Sequence, residues 1–168
     1  ATIPIVFFSL FFVDYVHSFF SVNVLLYTYI ANSIILFTTK KSIIKHNQIS
    51  FVLVISMGIA QIFALLPGIS RAGITISIGL LLGFNQKEVA KFAFFMAIPA
   101  LLGAMIFELD NLTVQTAEGS LLLFLGFFSS LITGLLVLRL LFKILQNNRF
   151  WLFSYYCLLL SIIIFFII

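Results

Sequence analysis

The chain has 168 residues, of which 63% are hydrophobic and only 8% charged, with a formal net charge of +4. Soluble domains carry roughly 25% charged residues, so this composition excludes a soluble globular enzyme and describes an integral membrane protein. Its basic residues are scattered among connecting segments rather than gathered on one face, which argues against a nucleic-acid partner.

At about 20 apolar residues per spanning helix, there is room for roughly five or six membrane segments in a single all-α domain over residues 1–168. Ala1-Thr2-Ile3-Pro4 opens without an initiator Met or a basic leader. It enters directly into an apolar stretch over 1–13, which reads as part of a membrane segment in a fragment and not as a signal peptide. Asp14 to Ser21 form a polar-aromatic connection. Asp14 and His17 share an i, i+3 spacing there, and solvated or capping roles are expected of them. Val22 to Thr39 make the first complete span, followed by a basic loop with Lys40, Lys41, Lys45 and His46.

Phe51 to Leu66 and Ile74 to Phe84 are two apolar arms around a Pro67-Gly68 break. Each is too short for a full crossing at about 1.5 Å per residue, so the pair reads as a re-entrant helical hairpin, with one long kinked span as the alternative. Asn85-Gln86-Lys87-Glu88 has the spacing of a helix N-cap with an acid in the first turn. It opens a span from Lys87 to Leu109, with Pro99 expected to kink it and with Lys87, Glu88 and Lys91 as a solvated start. A loop from Asp110 to Glu118 is acidic and lacks Lys and Arg. Gly119 to Leu138 span again; Arg139, Lys143 and Arg149 mark a second basic loop, and Phe150 to Ile168 make the last span. The positive-inside rule puts both basic loops in the cytoplasm and leaves the C-terminus outside. Trp151, Phe150, Tyr155 and Tyr156 suit an interfacial belt. Gly79 and Gly83 form a GxxxG pair suited to close packing. Cys157, the single cysteine, reads as a small core or lipid-facing residue.

The chemistry concentrates at Leu66-Pro67-Gly68-Ile69-Ser70-Arg71-Ala72-Gly73-Ile74-Thr75. An ionisable residue at membrane depth is costly and marks a functional site by default. Proline and glycine break the helix, and broken backbone at that depth is tolerated only against protein or a water-filled cavity. A turn leading into a helix aims unpaired N–H groups and the positive helix end at one point, which suits an anion. Arg71 adds a planar fork of donors matched to phosphate oxygens. Read bottom-up, this is an intramembrane phosphate site with Arg71 and Ser70 at its centre. Gly68, Ala72, Gly73 and Thr75 surround them, and Gln61 has a supporting place. The plainer readings stay open beside it: a structural role neutralising helix C-terminal carbonyls for Arg71, hydroxyls satisfied by their own helix for Ser70 and Thr75, and a cross-helix hydrogen bond for Gln61. No His/Cys/Asp/Glu cluster has metal-ligand spacing, and no P-loop is present.

Gln61-Ile-Phe-Ala-Leu-Leu-Pro67-Gly68-Ile-Ser70-Arg71-Ala72-Gly73-Ile-Thr75, with Gly79 and Gly83 after it, resembles the second signature of the undecaprenyl-diphosphate phosphatases, the bacitracin-resistance family. Lys91-Phe92 through Pro99, Gly103-Ala104, Ile3-Pro4 and Asp14 are similar to residues elsewhere in that family. The family pattern is Pro-Gly-x-Ser-Arg-Ser-Gly-x-Thr, and Ala72 stands here in place of its second serine. The family's other signature, a glutamate pair followed by a Pro-x-Ser-Ser turn and a histidine, is absent. The resemblance therefore implies the second half of an inverted-repeat fold, with the N-terminal repeat missing.

It further implies hydrolysis of undecaprenyl diphosphate to the monophosphate and inorganic phosphate in a bacterial plasma (inner) membrane, with Arg71 and Ser70 catalytic, Arg71 neutralising phosphoryl charge and Ser70 either hydrogen-bond donor or nucleophile. A divalent cation, Mg or Ca, would be held by ligands of the missing half. Membrane lipids are further partners, a homodimer is left open, and this chain alone is expected to be inactive. A membrane transporter or channel half with an intramembrane anion site, or an inert fragment, is the alternative. The other membrane lipid-phosphate phosphatase type requires a histidine six residues after the arginine, where this chain has Ser77.

Overall fold

Short polar side chains start the helices. The computed structural model describes residues 2, 4, 5, 8, 21–44, 46, 49–109 and 117–167. Asp14, His17, Asp110 and most of the acidic loop lie outside these residues. Helix α1, Val22–Thr38, begins at Ser21, whose Oγ accepts from Val24 N at 3.3 Å. Helix α2, Phe51–Phe63, begins the same way at Ser50, with Leu53 N donating at 3.4 Å. Helix α3, Arg71–Leu81, is capped by Ser70. Helix α4, Gln86–Leu109, follows Asn85, whose Oδ1 accepts from Lys87 N at 3.0 Å. Each cap satisfies an N–H that the first turn leaves without a partner. Helix α5 is Ala117–Gln146, and a 3-10 turn over Phe150–Leu152 leads into α6, Phe153–Ile167. All regular elements among the described residues are helical.

Three boundaries differ from the sequence expectation. Helix α2 stops at Phe63 and not at Leu66, because Ala64, Leu65 and Leu66 donate to the carbonyls three residues back and wind the helix out. Helix α3 starts at Arg71 and not at Ile74, because Ser70 caps it earlier than the apolar run begins. Helix α5 continues to Gln146, so Arg139 and Lys143 ride on its last turns and are not in a loop.

Four helical segments are long and apolar enough to cross a membrane: Val22–Lys41, Gln86–Ile106, Leu121–Gln146 and Phe150–Ile167. The 13 residues of α2 and 11 of α3 are not. At 1.5 Å per residue they reach about 20 and about 16 Å, well short of a hydrocarbon core of about 30 Å. The feet of these two arms are tied together: His46 N donates to Gly83 O and Asn85 N to His46 O, both at 3.0 Å. The His46 and Phe84 rings stack above that bridge at 4.9 Å. A hairpin whose entry and exit are hydrogen-bonded to each other returns to the side it came from. The chain is a polytopic all-α membrane protein with a re-entrant hairpin.

The same end of the molecule carries the basic residues. The 3-10 turn Thr39–Lys41 packs against the turn Phe150–Leu152, and Lys40 Nζ sits over the Trp151 ring at 4.6 Å. Trp151 stacks edge-on with Phe37 and Tyr155, as an amphipathic ring at a membrane interface does. Below this end, Leu53, Met57, Ile76, Leu80 and Val89 pack α2, α3 and α4 together. Gly79 permits that approach, since a Cβ there would stand 2.5 Å from Val89 Cγ1 and 3.3 Å from Leu53 Cδ1. Gly83 contributes through its backbone instead, because its φ of +82° makes the turn after α3.

Candidate functional site

The site is built where α2 ends and α3 begins. Gly68 adopts φ +90°, which L side chains rarely do. A Cβ on it would also collide with Thr28 Oγ1 of α1. The Thr28 hydroxyl lies within hydrogen-bonding reach of Pro67 O, as well as of Val24 O and Leu25 O in its own helix. The turn therefore rests directly on α1. Thr28 lies eleven residues before Thr39, which puts the tip about 16 Å below the basic end.

Ser70 then starts α3. Its Oγ accepts from Gly73 N at 3.0 Å and its carbonyl from Ile74 N at 2.8 Å. Among the described residues the Arg71 and Ala72 amides are left without an acceptor, pointing out of the helix start where the helix dipole is positive. Ser70 is exposed, and Arg71 and Ala72 are part-buried. Gly73 must lack a side chain, because a Cβ there would stand 2.9 Å from Ser70 Cβ and 3.1 Å from its Oγ.

Arg71 ties the two arms of the hairpin to α4. Its Nε and Nη2 donate to Gln61 Oε1 at 3.1 and 2.7 Å, and Nη2 also donates to Met96 O at 3.0 Å. Met96 lies one turn before Pro99, in a stretch of helix that the missing proline N–H weakens. Gln61 is fully buried. The guanidinium is thus held by neutral acceptors, and Nη1 donates to none of the described residues. The only ion pair among the described residues is Lys91–Glu88, 3.2 Å apart on the surface. Among these residues no carboxylate offsets the charge of Arg71, and a cation so placed at depth attracts an anion.

The sequence-selected residues come together here with different environments. Gln61, Gly68, Ser70, Arg71, Ala72 and Gly73 line or support the turn. Thr75 is 3% exposed, and its hydroxyl donates back to Arg71 O at 2.8 Å and lies 3.3 Å from Ala72 O. Three contributors come from outside the motif: Thr28, the Met96 carbonyl, and Asn32, which is fully buried in α1 with its Oδ1 beside Gly73. A polar amide inside an apolar span was the available signal for Asn32. The Met96 carbonyl carried none beyond its distance from Pro99.

The groups gathered around Arg71 are cationic or neutral donors, with Gln61 Oε1 already engaged. This is not a donor set for a divalent cation, which takes carboxylate and carbonyl oxygens. No group of three or more His, Cys, Asp or Glu side chains able to hold a metal occurs among the described residues.

Comparison with known proteins gives the chain's family. Residues 1–163 match the family described as Bacitracin resistance protein BacA. The chain is 34% identical over 165 residues to an undecaprenyl-diphosphatase of Methanococcus maripaludis, covering 96% of this chain and 64% of that protein. It is 40% identical over 111 residues to one from Methanobrevibacter smithii, covering 66% of this chain and 40% of that protein. An undecaprenyl-diphosphatase 3 of Acinetobacter baylyi is 36% identical over 129 residues, 76% of this chain and 48% of that protein. The chain spans between 40% and 64% of the length of these relatives. With a match along nearly its whole length and the Ser70-Arg71 turn at the tip of a re-entrant hairpin, this chain belongs to the bacitracin-resistance protein family.

Proposed function

We propose that the hairpin tip binds the diphosphate of undecaprenyl diphosphate in a plasma membrane, and that the natural protein hydrolyses it to undecaprenyl phosphate and inorganic phosphate. That reaction recycles the lipid carrier of cell-wall synthesis and underlies resistance to bacitracin. The observation that carries the reading is Arg71: a guanidinium at membrane depth, at a capped helix start, held only by Gln61 and Met96 O among the described residues.

In this reading the apolar tail lies among the helices and the diphosphate meets the start of α3. The Arg71 and Ala72 amides and the outward side of the guanidinium take the oxygens of the phosphoryl group. Gln61 and Met96 O fix the plane of that guanidinium before substrate arrives. Such preorganised donors work best where water is scarce, because they need no reorientation as charge builds. Water attacks the terminal phosphorus, the bond to the bridging oxygen breaks, and the lipid monophosphate departs with the electron pair. Proton transfer requires a base and an acid within hydrogen-bond reach. Those groups, and the carboxylates for a divalent cation, are assigned to segments beyond the described residues.

Replacing Arg71 with Lys keeps the charge but loses the planar fork. Hydrolysis by the natural protein in detergent is expected to fall about 100-fold or more. Near-normal turnover at matched protein level would refute the role. The orientation, with basic loops cytoplasmic and the C-terminus outside, is tested with an impermeant thiol reagent in a Cys157→Ser background. Asn111→Cys should react in intact cells and Asn47→Cys only after permeabilisation. The reverse pattern would invert the orientation and the side from which the hairpin enters.

A further inference from the structure

Two adjacent lysines at the basic end have different surroundings. Lys40 Nζ lies 4.6 Å from the centre of the Trp151 ring and 5.8 Å from that of Phe37. Lys41, the next residue of the 3-10 turn, instead lines a cleft of about 180 Å³ with Ser42, Ile43, Leu81, Leu82 and Gly83. It is exposed, and its ammonium has no partner among the described residues. The cleft lies where the turn Thr39–Lys41 packs against α3, beside the hydrogen bond from His46 N to Gly83 O.

One wall of the cleft is the end of α3, where carbonyls run out of helical partners. Ile78 O, Gly79 O and Leu80 O accept from Leu82 N, Phe84 N and Gly83 N at 3.0, 3.1 and 2.9 Å. Leu81 O and Leu82 O accept from none of the described residues. Such carbonyls carry the negative end of the helix dipole and take hydroxyl or ammonium donors. Ile43, Leu81 and Leu82 are also exposed, so apolar surface stands beside the lysine and the carbonyls.

A cation, unfilled acceptors and apolar walls in one cleft match the parts of a phospholipid: its phosphodiester, its headgroup donors and the first methylenes of its tails. Charge selects the headgroup. Lys40, Lys41, Lys87, Lys143 and Arg149 gather at this end, and Glu88, paired with Lys91, is the only acid there among the described residues. A headgroup ammonium would add to that surplus, whereas glycerol hydroxyls supply the carbonyls with donors and leave the lipid anionic.

We propose that this cleft binds an anionic glycerophospholipid of the leaflet on the basic side, with its phosphodiester on Lys41 and its headgroup hydroxyls on the free carbonyls that end α3. The site is independent of the phosphate reading of the hairpin tip. A lipid seated there joins the turn after α1 to the foot of the hairpin.

The probe is dioleoyl phosphatidylglycerol, added to the delipidated natural protein in detergent, with bound lipid read by native mass spectrometry. It is expected to bind about tenfold more tightly than dioleoyl phosphatidylcholine. Lys41→Gln should weaken it about fivefold. Leu82→Trp, which keeps every charge and carbonyl but fills the cleft, should cost at least as much. Lys143→Gln, at the same end but on α5, should change affinity less than about twofold, and so should Arg71→Lys at the hairpin tip. Equal losses in Lys41→Gln and Lys143→Gln would mean that lipid follows the overall charge of this end, and would overturn the proposal. A loss as large in Arg71→Lys would put the lipid at the tip and overturn it too. If Leu82→Trp does not fold, Lys41→Gln against Lys143→Gln decides. Inorganic phosphate in large excess should not displace the lipid, because it makes no use of the apolar walls; displacement would make the cleft a site for the free ion. Dioleoyl phosphatidylethanolamine binding as tightly as phosphatidylglycerol would overturn the choice of headgroup.

Discussion

Helices α3 and α5 occupy opposite extremes of the molecule. Helix α3 carries Arg71, Thr75, Ser77 and two glycines in 11 residues, and seven of the 11 are buried. Helix α5 contains the most apolar of the four spans, and none of its 18-residue core window is buried. In water the order would be reversed. In a bilayer, lipid tails are as apolar as leucine, so apolarity does not draw a helix inward. Small residues that allow close approach and polar residues that find partners do. The buried polar set, which includes Thr28, Asn32, Ser33, Gln61, Thr75 and Ser154, maps the interior of this protein. Ser33 Oγ donates to Ser154 O at 2.9 Å, which joins α1 to α6 as the amide of Asn32 does one residue earlier.

Glycine substitutions test this contrast. Gly68→Val should have the largest effect, because it combines a positive φ with a collision against Thr28. A loss of about 3 kcal/mol or more is expected, read as a fall in thermal midpoint in detergent. An unchanged midpoint would mean that the turn does not rest on α1. Gly79→Leu comes next, at about 1–3 kcal/mol, since the new side chain must displace Val89 and Leu53. Gly126→Leu in α5 should be nearly silent, within about 0.5 kcal/mol, because nothing lies within 4 Å of its Cβ position. If Gly126→Leu cost as much as Gly79→Leu, that face of α5 would be packed against protein in the membrane and the contrast would break down.

The spans, the break at Pro67-Gly68 and the cap at Asn85 were legible in the linear sequence because each is a local matter. Hydropathy over some 20 residues reports a crossing, and cap and turn residues act within one turn of helix. The exact start of α3 was less legible, since the apolar run begins at Ile74 while the cap acts from Ser70. The basic pair Arg139 and Lys143 looked like a loop because charge was read as a boundary. In α5 it is the last turns of a helix at the interface.

The motif from Gln61 to Thr75 reads as an anion site, and a run of residues alone was enough to single out Arg71 and Ser70 as its candidates. Which groups hold Arg71 in place depended on the fold: Gln61 ten residues back, and the Met96 carbonyl 25 residues on. The burial of Asn32 against Cys157, 125 residues apart, was also a product of packing. So was the bridge from His46 to Phe84 that returns the hairpin to its own side. The apolar residues of helix α1 are spread round its whole circumference, and no amphipathic stripe marks the side that carries Thr28, Asn32 and Ser33 inward. Only the rotation of each helix against its neighbours makes that choice. It turns on where polar side chains find partners across the interface, a long-range condition that spacing along the chain does not encode.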